Sequence, residues 1–366
     1  MISSISPATL YEKLKDKSGL TLLDVRSHEE FALWNISGSI NIPYETIPHR
    51  IATLPHDRLI ITICNRGNDS KKAAQFLSKK GFKASSLTGG LKAWNGIYDI
   101  VNIDPNSPSP FKVYQFVRLG KGCLSYILVS DDKKHAVVID PTRHLNVYTH
   151  FLKSNKLKAV AIVDTHLHAD HISGGIKLAK KFKVPYLLSE NSQTKFKFKP
   201  VALLSKILKT RQLKVVSTPG HTPESISIVI GEAFVFTGDT LFVDSVGRPD
   251  LTGKNNTREN ANDLWNSIKK NLFSLPEEDI YVLPGHSQQE LDPGGPMVAA
   301  TLRYVKRANL INEFKNVERF ADKVSSGKID PPANHQLIKE INTRGKVPKK
   351  DLDELELGAN CCAATL

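Results

Sequence analysis

Thr165-His166-Leu167-His168-Ala169-Asp170-His171 follows directly on the apolar run Ala159 to Asp164. A short β-rich run of this kind reads as a buried strand, so three histidines and an aspartate crowd the loop that leaves it. Packing that many polar side chains together without a cation would leave them poorly satisfied. Three more motifs repeat the arrangement. His221 closes Ser217-Thr218-Pro219-Gly220-His221, Asp239 lies in Phe236-Thr237-Gly238-Asp239-Thr240, and His286 ends Leu283-Pro284-Gly285-His286. Each follows a strand-like run, so sheet order can gather all of them at one edge. Imidazole with carboxylate suits zinc, iron or manganese, whereas magnesium or calcium would take oxygen alone.

Working outward, strand signals dominate the rest of this region: Cys123 to Val129, Ala136 to Asp140, Lys214 to Ser217, Ile226 to Ile230, Ala233 to Thr237 and Ile280 to Leu283. Helical patterns at Gly175 to Phe182 and Glu259 to Leu272 sit between them, which predicts layered sheets flanked by helices. Upstream, Val101 to Pro110 carries three prolines in a short polar stretch, and a linker is expected over 101–111. Before it, β-rich runs at Leu20 to Val25 and Leu59 to Cys64 alternate with helical segments at Thr9 to Lys15 and Lys71 to Lys80, a small parallel α/β domain over 1–100. The second domain is expected over 112–345. Residues 346–366 read as a charged, disordered tail ending in Cys361-Cys362.

In the first domain the apolar run Leu59 to Ile63 leads into Cys64, then the polar loop Asn65-Arg66-Gly67-Asn68-Asp69-Ser70, then a helix. Backbone N–H groups of such a loop point inward and the helix dipole adds positive potential, which stabilises a thiolate or persulfide. Cys123 begins an apolar strand pattern and reads as core.

The chain has 366 residues, 40% hydrophobic and 24% charged, the balance of an ordinary soluble protein of two or three domains. Its four cysteines are too few for a disulfide framework and suggest a reducing, cytoplasmic setting. No apolar run is long enough to span a bilayer, and the start lacks a secretory pattern, so no membrane association is expected. Fifty Lys and Arg against 37 Asp and Glu give +13. The excess is diffuse lysine, densest between Lys177 and Lys214, without zinc-finger spacing or an aromatic RNA-binding motif. A solvated basic surface is the better reading, and nucleic acid is not the expected partner.

The N-terminal motifs resemble the rhodanese sulfurtransferase family: Asp24-Val25-Arg26 with Glu30-Phe31, Ile36-Ser37-Gly38-Ser39-Ile40-Asn41-Ile42-Pro43, and Leu87-Thr88-Gly89-Gly90-Leu91-Lys92-Ala93-Trp94. The resemblance implies that Cys64 carries a sulfane sulfur as a persulfide, with Arg26 and Glu30 structural. Asn65 stands where the family has an arginine, and Asp69 where another is common. That loss of positive charge disfavours dianionic thiosulfate and favours exchange with a protein or organic persulfide.

Residues from about 112 to 300 resemble the metallo-β-lactamase superfamily, which implies an αββα sandwich after the α/β rhodanese domain. Thr237-Gly238-Asp239-Thr240-Leu241-Phe242, Val246-Gly247-Arg248-Pro249-Asp250-Leu251 and Pro331-Pro332-Ala333-Asn334, beside the rhodanese fusion, resemble the persulfide dioxygenase branch. That branch implies one Fe(2+) per chain on His166, His221 and Asp239. Three positions then stay open for persulfide sulfur, dioxygen or water. His168, Asp170, His171 and His286 would orient ligands, or hold a second metal. Arg248 resembles the arginine that meets the thiol carrier's anionic group, the alternative being a structural ion pair. Pro249 and Leu251 depart from the glutathione-using pattern, which leaves glutathione, coenzyme A or a bacterial thiol as carrier, and the lysines of 177–214 would suit a phosphorylated one. The implied chemistry is oxidation of a low-molecular-weight thiol persulfide by dioxygen to sulfite, coupled through Cys64 to thiosulfate, in sulfide detoxification. The alternatives are a glyoxalase II-like hydrolase with two Zn(2+) and a nuclease or nucleic-acid-binding protein of the same superfamily. A homo-oligomer is left open.

Overall fold

The computed structural model describes residues 3–251, 256–287, 291–326, 334–349, 351–358, 360 and 362–364. Cys361 and Pro331-Pro332-Ala333, singled out above, lie outside the described residues.

The first sheet contains β1 (Ser4–Ile5), β2 (Leu20–Asp24), β3 (Ile40–Asn41), β4 (Leu59–Ile63) and β5 (Ala84–Leu87). Its order is β1-β5-β4-β2-β3, with every pairing parallel. The helix Asn68–Lys79 packs its Ala73, Ala74 and Leu77 into a core with Leu23, Ile60 and Phe82. Central strand β4 therefore ends at Cys64 with a helix N-terminus directly ahead, as a parallel sheet requires of its strand-to-helix loops.

The second sheet runs β12-β11-β10-β9-β8-β7-β6 and the third β13-β14-β15-β16-β17. These strands are β6 (Tyr98–Ile103), β7 (Lys112–Arg118), β8 (Leu124–Val129), β9 (His135–Ile139), β10 (Lys158–Val163), β11 (Tyr186–Leu188), β12 (Lys199–Pro200), β13 (Leu213–Ser217), β14 (Ile226–Ile230), β15 (Phe234–Gly238), β16 (Tyr281–Pro284) and β17 (Ala300–Thr301). Tyr126, Leu128, Val137 and Ile139 of one sheet face Ile228, Ile230 and Phe236 of the other, with the Tyr126 and Phe236 rings 5.1 Å apart. The outer face of the second sheet is covered by helices Leu145–Ser154 and Gly175–Phe182. That of the third is covered by Thr257–Asn266, Leu302–Ala308 and Val317–Ser326. This is the expected αββα sandwich, with the strand ends of β10, β15 and β16 carrying the histidine and aspartate motifs.

Two expectations are corrected. The stretch 101–111 is not a free linker: β6 pairs antiparallel with β7 from Tyr98↔Arg118 to Ile103↔Val113, so its prolines cap a hairpin of the second sheet. The chain passes between domains at Asn95 to Ile97, where Arg118 Nε donates to the Asn95 carbonyl (2.8 Å) and Leu119 N–H to that of Ile97 (3.1 Å). Nor are the described residues of 346–366 a loose tail. Asp351 caps a short helix, Leu352–Leu355, and pairs with Lys92, while Glu354 pairs with Arg66 and Asp353 with Arg143. Glu356 is fully buried between Arg118 (2.7 Å) and Arg143 (2.9 Å) and accepts from Ile172 N–H (2.7 Å). A buried carboxylate holds only where opposite charge and hydrogen bonds replace water, and both are present. Asn95 Nδ2 also donates to the Glu356 carbonyl (3.2 Å), so this segment ties the two domains together.

Among the described residues, no helix is long and apolar enough to cross a membrane.

Candidate active site

Cys64 is 5% exposed, and its sulfur sits inside the predicted cradle. The N–H groups of Gly67 (3.2 Å) and Ser70 (3.3 Å) donate to Sγ, and the thiol donates to Ser70 Oγ (3.4 Å), itself paired with Ser86 Oγ (2.9 Å). Gly67 takes φ +88°, the left-handed turn that aims both N–H groups inward. The Gly89-Gly90 pair supports this loop from behind. A Cβ at Gly90 would collide with the Cys64 carbonyl, and Leu91 N–H donates to that same oxygen (2.9 Å). The cradle opens on a cavity of about 810 Å³ lined by Arg26, Glu30, Arg66, Asp69, Lys72 and Glu354 among others. Arg26 forks onto Asp24 (2.7–3.0 Å) and Asn65 Nδ2 donates to Glu30 (2.6 Å). Asp69 pairs with Lys72 (2.9 Å) and Arg66 with Glu354. Charges at this mouth are mixed in sign, with Asn68 also on its wall.

In the second domain His166, His221 and Asp239 bring one ligand atom each within 4.8 Å of one another. Asp239 Oδ2 lies 3.6 Å from His166 Nε2 and 3.5 Å from His221 Nε2, the spacing of donors about 2.1 Å from one ion at near-tetrahedral angles. The outer nitrogens are fixed by neighbours. His221 Nδ1 faces the Arg248 carbonyl (2.9 Å) and His166 Nδ1 the Thr165 hydroxyl (3.0 Å). Donation from His221 Nδ1 leaves its Nε2 lone pair directed at the triad. His166 Nε2 and Asp239 Oδ2 are buried without a hydrogen-bond partner, which is the state of groups built to take a cation. Burial holds both imidazoles below their ordinary range. Burial works against the Asp239 charge, but His286 and His166 beside it hold its carboxyl well below the usual range.

The remaining motif residues divide in two. Asp170 Oδ2 is shared by His171 Nδ1 (2.9 Å) and His286 Nε2 (2.9 Å), and His286 Nδ1 reaches Asp239 Oδ1 (2.7 Å). With Cys123 these three residues form a second group of ligand atoms. His168 is not grouped with the triad: it joins Asp140 and Asp164, its Nε2 lying 3.4 Å from Asp140 Oδ1, while its ring packs against His166 with centroids 4.2 Å apart and its Nδ1, like Asp170 Oδ1 and His171 Nε2, is buried without a hydrogen-bond partner.

Sequence reasoning missed several residues that build this site. Asp140 closes β9 with φ +51° and accepts from Thr165 N–H (2.6 Å) and Oγ1 (2.9 Å). Its signal was an aspartate ending an apolar strand before Pro141. Asn342 Nδ2 donates to the carbonyls of His168 and His171 (both 2.8 Å), and Glu224 accepts from Leu167 N–H (3.0 Å). Cys123 is buried as expected, yet its thiol donates to Asp170 Oδ2 (3.3 Å). Burial and the Asp170 charge push that thiol up, but His171 and His286 outweigh them and bring it to about 7. Cys362, expected in a disordered tail, is buried beside Asp239 and His286, and burial with the Asp170 and Asp239 charges pushes its thiol up.

Arg248 is 3% exposed and forks onto Asp250 (2.6 and 2.7 Å), the structural alternative noted above. A groove of about 410 Å³ reaches the centre at His286, walled by Phe242, Asp244, Ser287, Met297 and Tyr304. Among the described residues, neither Arg248 nor any residue of 177–214 lines this groove or the Cys64 cavity.

The comparisons agree with this division. Residues 6–97 match the model of the rhodanese-like domain, and residues 119–286 that of the metallo-beta-lactamase superfamily. "Putative sulfurtransferase YtwF" of Bacillus subtilis (strain 168) is 37% identical over 95 residues, 26% of this chain and 92% of that protein. A hydroxyacylglutathione hydrolase of Francisella philomiragia is 31% identical over 183 residues, 48% of this chain and 68% of that protein. The crystal structure of ETHE1 from Myxococcus xanthus superposes with a TM-score of 0.52 and 26% identity, covering 63% of this chain and 96% of that one. With a sulfur cradle on one sheet and a buried two-histidine, one-aspartate centre at the edge of a sandwich, the chain belongs to the rhodanese-like family over its first domain and to the metallo-beta-lactamase superfamily over its second.

Proposed function

We propose that the protein is a persulfide dioxygenase coupled to a sulfurtransferase. It would convert R–S–S⁻, dioxygen and water to R–S⁻, sulfite and two protons. The observation that carries this reading is the grouping of His166, His221 and Asp239 as a triad of ligand atoms that His168 does not join. A binuclear hydrolase would use His168 as a ligand, whereas a single ion on two histidines and a carboxylate keeps positions open for sulfur and dioxygen. A ferrous ion there would supply a Lewis-acid site able to bind sulfur and reduce dioxygen. The chain's own residues do the rest. Asp140 and Thr165 fix the His166 ring, the Arg248 carbonyl fixes that of His221, and Asp170 with His286 holds Asp239 and forms a hydrogen-bonded path for protons. The apolar wall at Phe242 and Met297 would seat the carrier's thiol stem. At Cys64 the cradle would hold a persulfide anion on the N–H groups of Gly67 and Ser70. Sulfite attacking its outer sulfur would break the S–S bond, giving thiosulfate and the Cys64 thiolate.

The test is anaerobic loading with ferrous iron, then dioxygen uptake and sulfite release on adding glutathione persulfide or coenzyme A persulfide. Equimolar uptake and sulfite are expected, with Cys64→Ser keeping sulfite and losing thiosulfate. Absence of uptake in the iron protein, with S-lactoylglutathione cleavage by the two-zinc protein, would replace this reading with the thioester hydrolase that the Francisella relative's name describes.

A further inference from the structure

A third cavity, of about 310 Å³, lies where the two domains and the C-terminal segment meet, and neither centre uses it. Trp34, Asn35 and Trp94 of the first domain, Lys121 and Ser287 of the second, and Asn360 stand on its wall. Lys121 belongs to the tight turn between β7 and β8. Its N–H and that of Gly122 both donate to the Arg118 carbonyl (3.1 and 2.8 Å), and Ser287 N–H donates to the Gly122 carbonyl (3.0 Å). The turn is thereby fixed beside the residue that follows His286, and Lys121 is only 5% exposed. Its ammonium donates to the Gly358 carbonyl at 3.4 Å, and among the described residues it has no carboxylate partner. Buried charges are ordinarily paired, because water no longer solvates them. On the same wall Asn360 Nδ2 is buried without a hydrogen-bond partner, while its Oδ1 accepts from Cys362 N–H (2.9 Å). An unpaired ammonium and an unpaired amide donor lining one cavity both call for an anionic acceptor. Among the described residues no acidic side chain lines the cavity to supply it. The neighbouring metal groove has the opposite character: Asp99, Asp244 and Asp292 line it, and among the described residues no lysine or arginine does. Groove and cavity share Ser287 and Leu291, so an anion leaving the metal centre is repelled along the groove and drawn toward Lys121. On the far side the Trp34 carbonyl accepts from Arg26 Nη2 (2.5 Å), and Arg26 lines the Cys64 cavity.

We propose that this cavity is a small-oxyanion site, in which Lys121 and Asn360 hold sulfite between its release at the metal centre and its use at Cys64. The site rests on the buried ammonium and amide; the identity of the anion rests on the dioxygenase reading above. Binding is ionic and hydrogen-bonded, with sulfite oxygens accepting from Lys121 Nζ and Asn360 Nδ2 and no covalent bond made or broken. A carboxylate of a thiol carrier seated in the adjoining groove would offer the same acceptor chemistry, so the test separates the two sources.

Anaerobic titration of the zinc-loaded full chain with sodium sulfite, at constant ionic strength, tests this without turnover. Calorimetry reads the binding, and so does tryptophan fluorescence, because two of the chain's three tryptophans, Trp34 and Trp94, line the cavity. Saturable binding is expected in the wild type and, unchanged, in Cys64→Ser, in metal-free His166→Ala and in the exposed-lysine control Lys153→Met. Lys121→Met should weaken it about tenfold or more, and Asn360→Leu should weaken it several-fold. Sulfite should also raise the melting temperature of the wild type and not that of Lys121→Met. No saturable binding, or binding that survives Lys121→Met, overturns the proposal; so does binding lost in His166→Ala or in Cys64→Ser. Should Lys121→Met fail to fold, Asn360→Leu decides, and undiminished sulfite binding in that variant refutes the site. S-methylglutathione is titrated alongside. Lys121-dependent binding of that compound without binding of sulfite gives the site to a carrier carboxylate and overturns the sulfite assignment. The two readings fail separately. Lys121-dependent sulfite binding with no dioxygen uptake by the iron protein removes the dioxygenase alone, and uptake without such binding removes the oxyanion site alone.

Discussion

Replacing Glu356 with glutamine leaves the buried Arg118 without its counter-charge at the domain junction and the partly buried Arg143 with Asp353 alone. Arg118 and Glu356 are both inaccessible to solvent, so water cannot substitute for the lost carboxylate. Burial opposes the Glu356 charge, yet Arg118, Arg143 and the Ile172 N–H bring its carboxyl down to about 2 from an ordinary 4.5. That difference is worth about 3 kcal/mol of folding stability at neutral pH. Removing one partner of a buried pair costs about 3–5 kcal/mol in general, so the two routes agree. The carboxyl is depressed in the folded state, so its contribution is fully present above about 4.5 and is lost as the pH falls from there toward 2. Urea unfolding of wild type and Glu356→Gln across pH 3 to 8 reads this directly. The wild type should be more stable by about 3 kcal/mol from pH 8 to 5.5, and the gap should narrow below about pH 4.5. Equal midpoints at pH 7, or a gap indifferent to acid, would refute the reasoning.

Two further substitutions probe the two centres. Gly90→Ala drives a methyl into the Cys64 carbonyl and should cost about 1–3 kcal/mol, with sulfur transfer falling more than metal-centre activity; assays of the two half-reactions on one preparation separate them. His168→Ala should retain one metal ion per chain and His166→Ala should lose it, since only His166 belongs to the triad; metal analysis after gel filtration would show an equal loss in both if His168 were a ligand.

The sandwich was legible where its strands are long apolar runs. β14 was expected and found at Ile226–Ile230, and β10 ends where the histidine motif begins. β6 was not, because the prolines that follow it resemble a linker until its pairing with β7 is known. The short strands Tyr186–Leu188 and Lys199–Pro200 carry too few residues to show a period of two. The histidine and aspartate motifs were legible because each follows a strand-like run, whereas the choice of His166, His221 and Asp239 among them came only from the resemblance to the persulfide dioxygenase branch. His168 was separated from that triad only by Asp140, whose carboxylate lies on a neighbouring strand. Glu356 stands in a charged stretch with Asp351, Asp353 and Glu354, and nothing local marks it as the one that Arg118, far earlier in the chain, buries.

The position of that carboxylate along the chain has a temporal consequence. Arg118 waits 238 residues for Glu356, and Arg143 waits 213. At about 5–20 residues per second, synthesis leaves the two guanidinium groups without their partner for roughly 10–50 s. Through that interval the sandwich can assemble its sheets, but the junction that joins it to the first domain stays hydrated and open. Over the same time the first domain lacks this tie to the sandwich, and the junction closes only once Glu356 has left the ribosome.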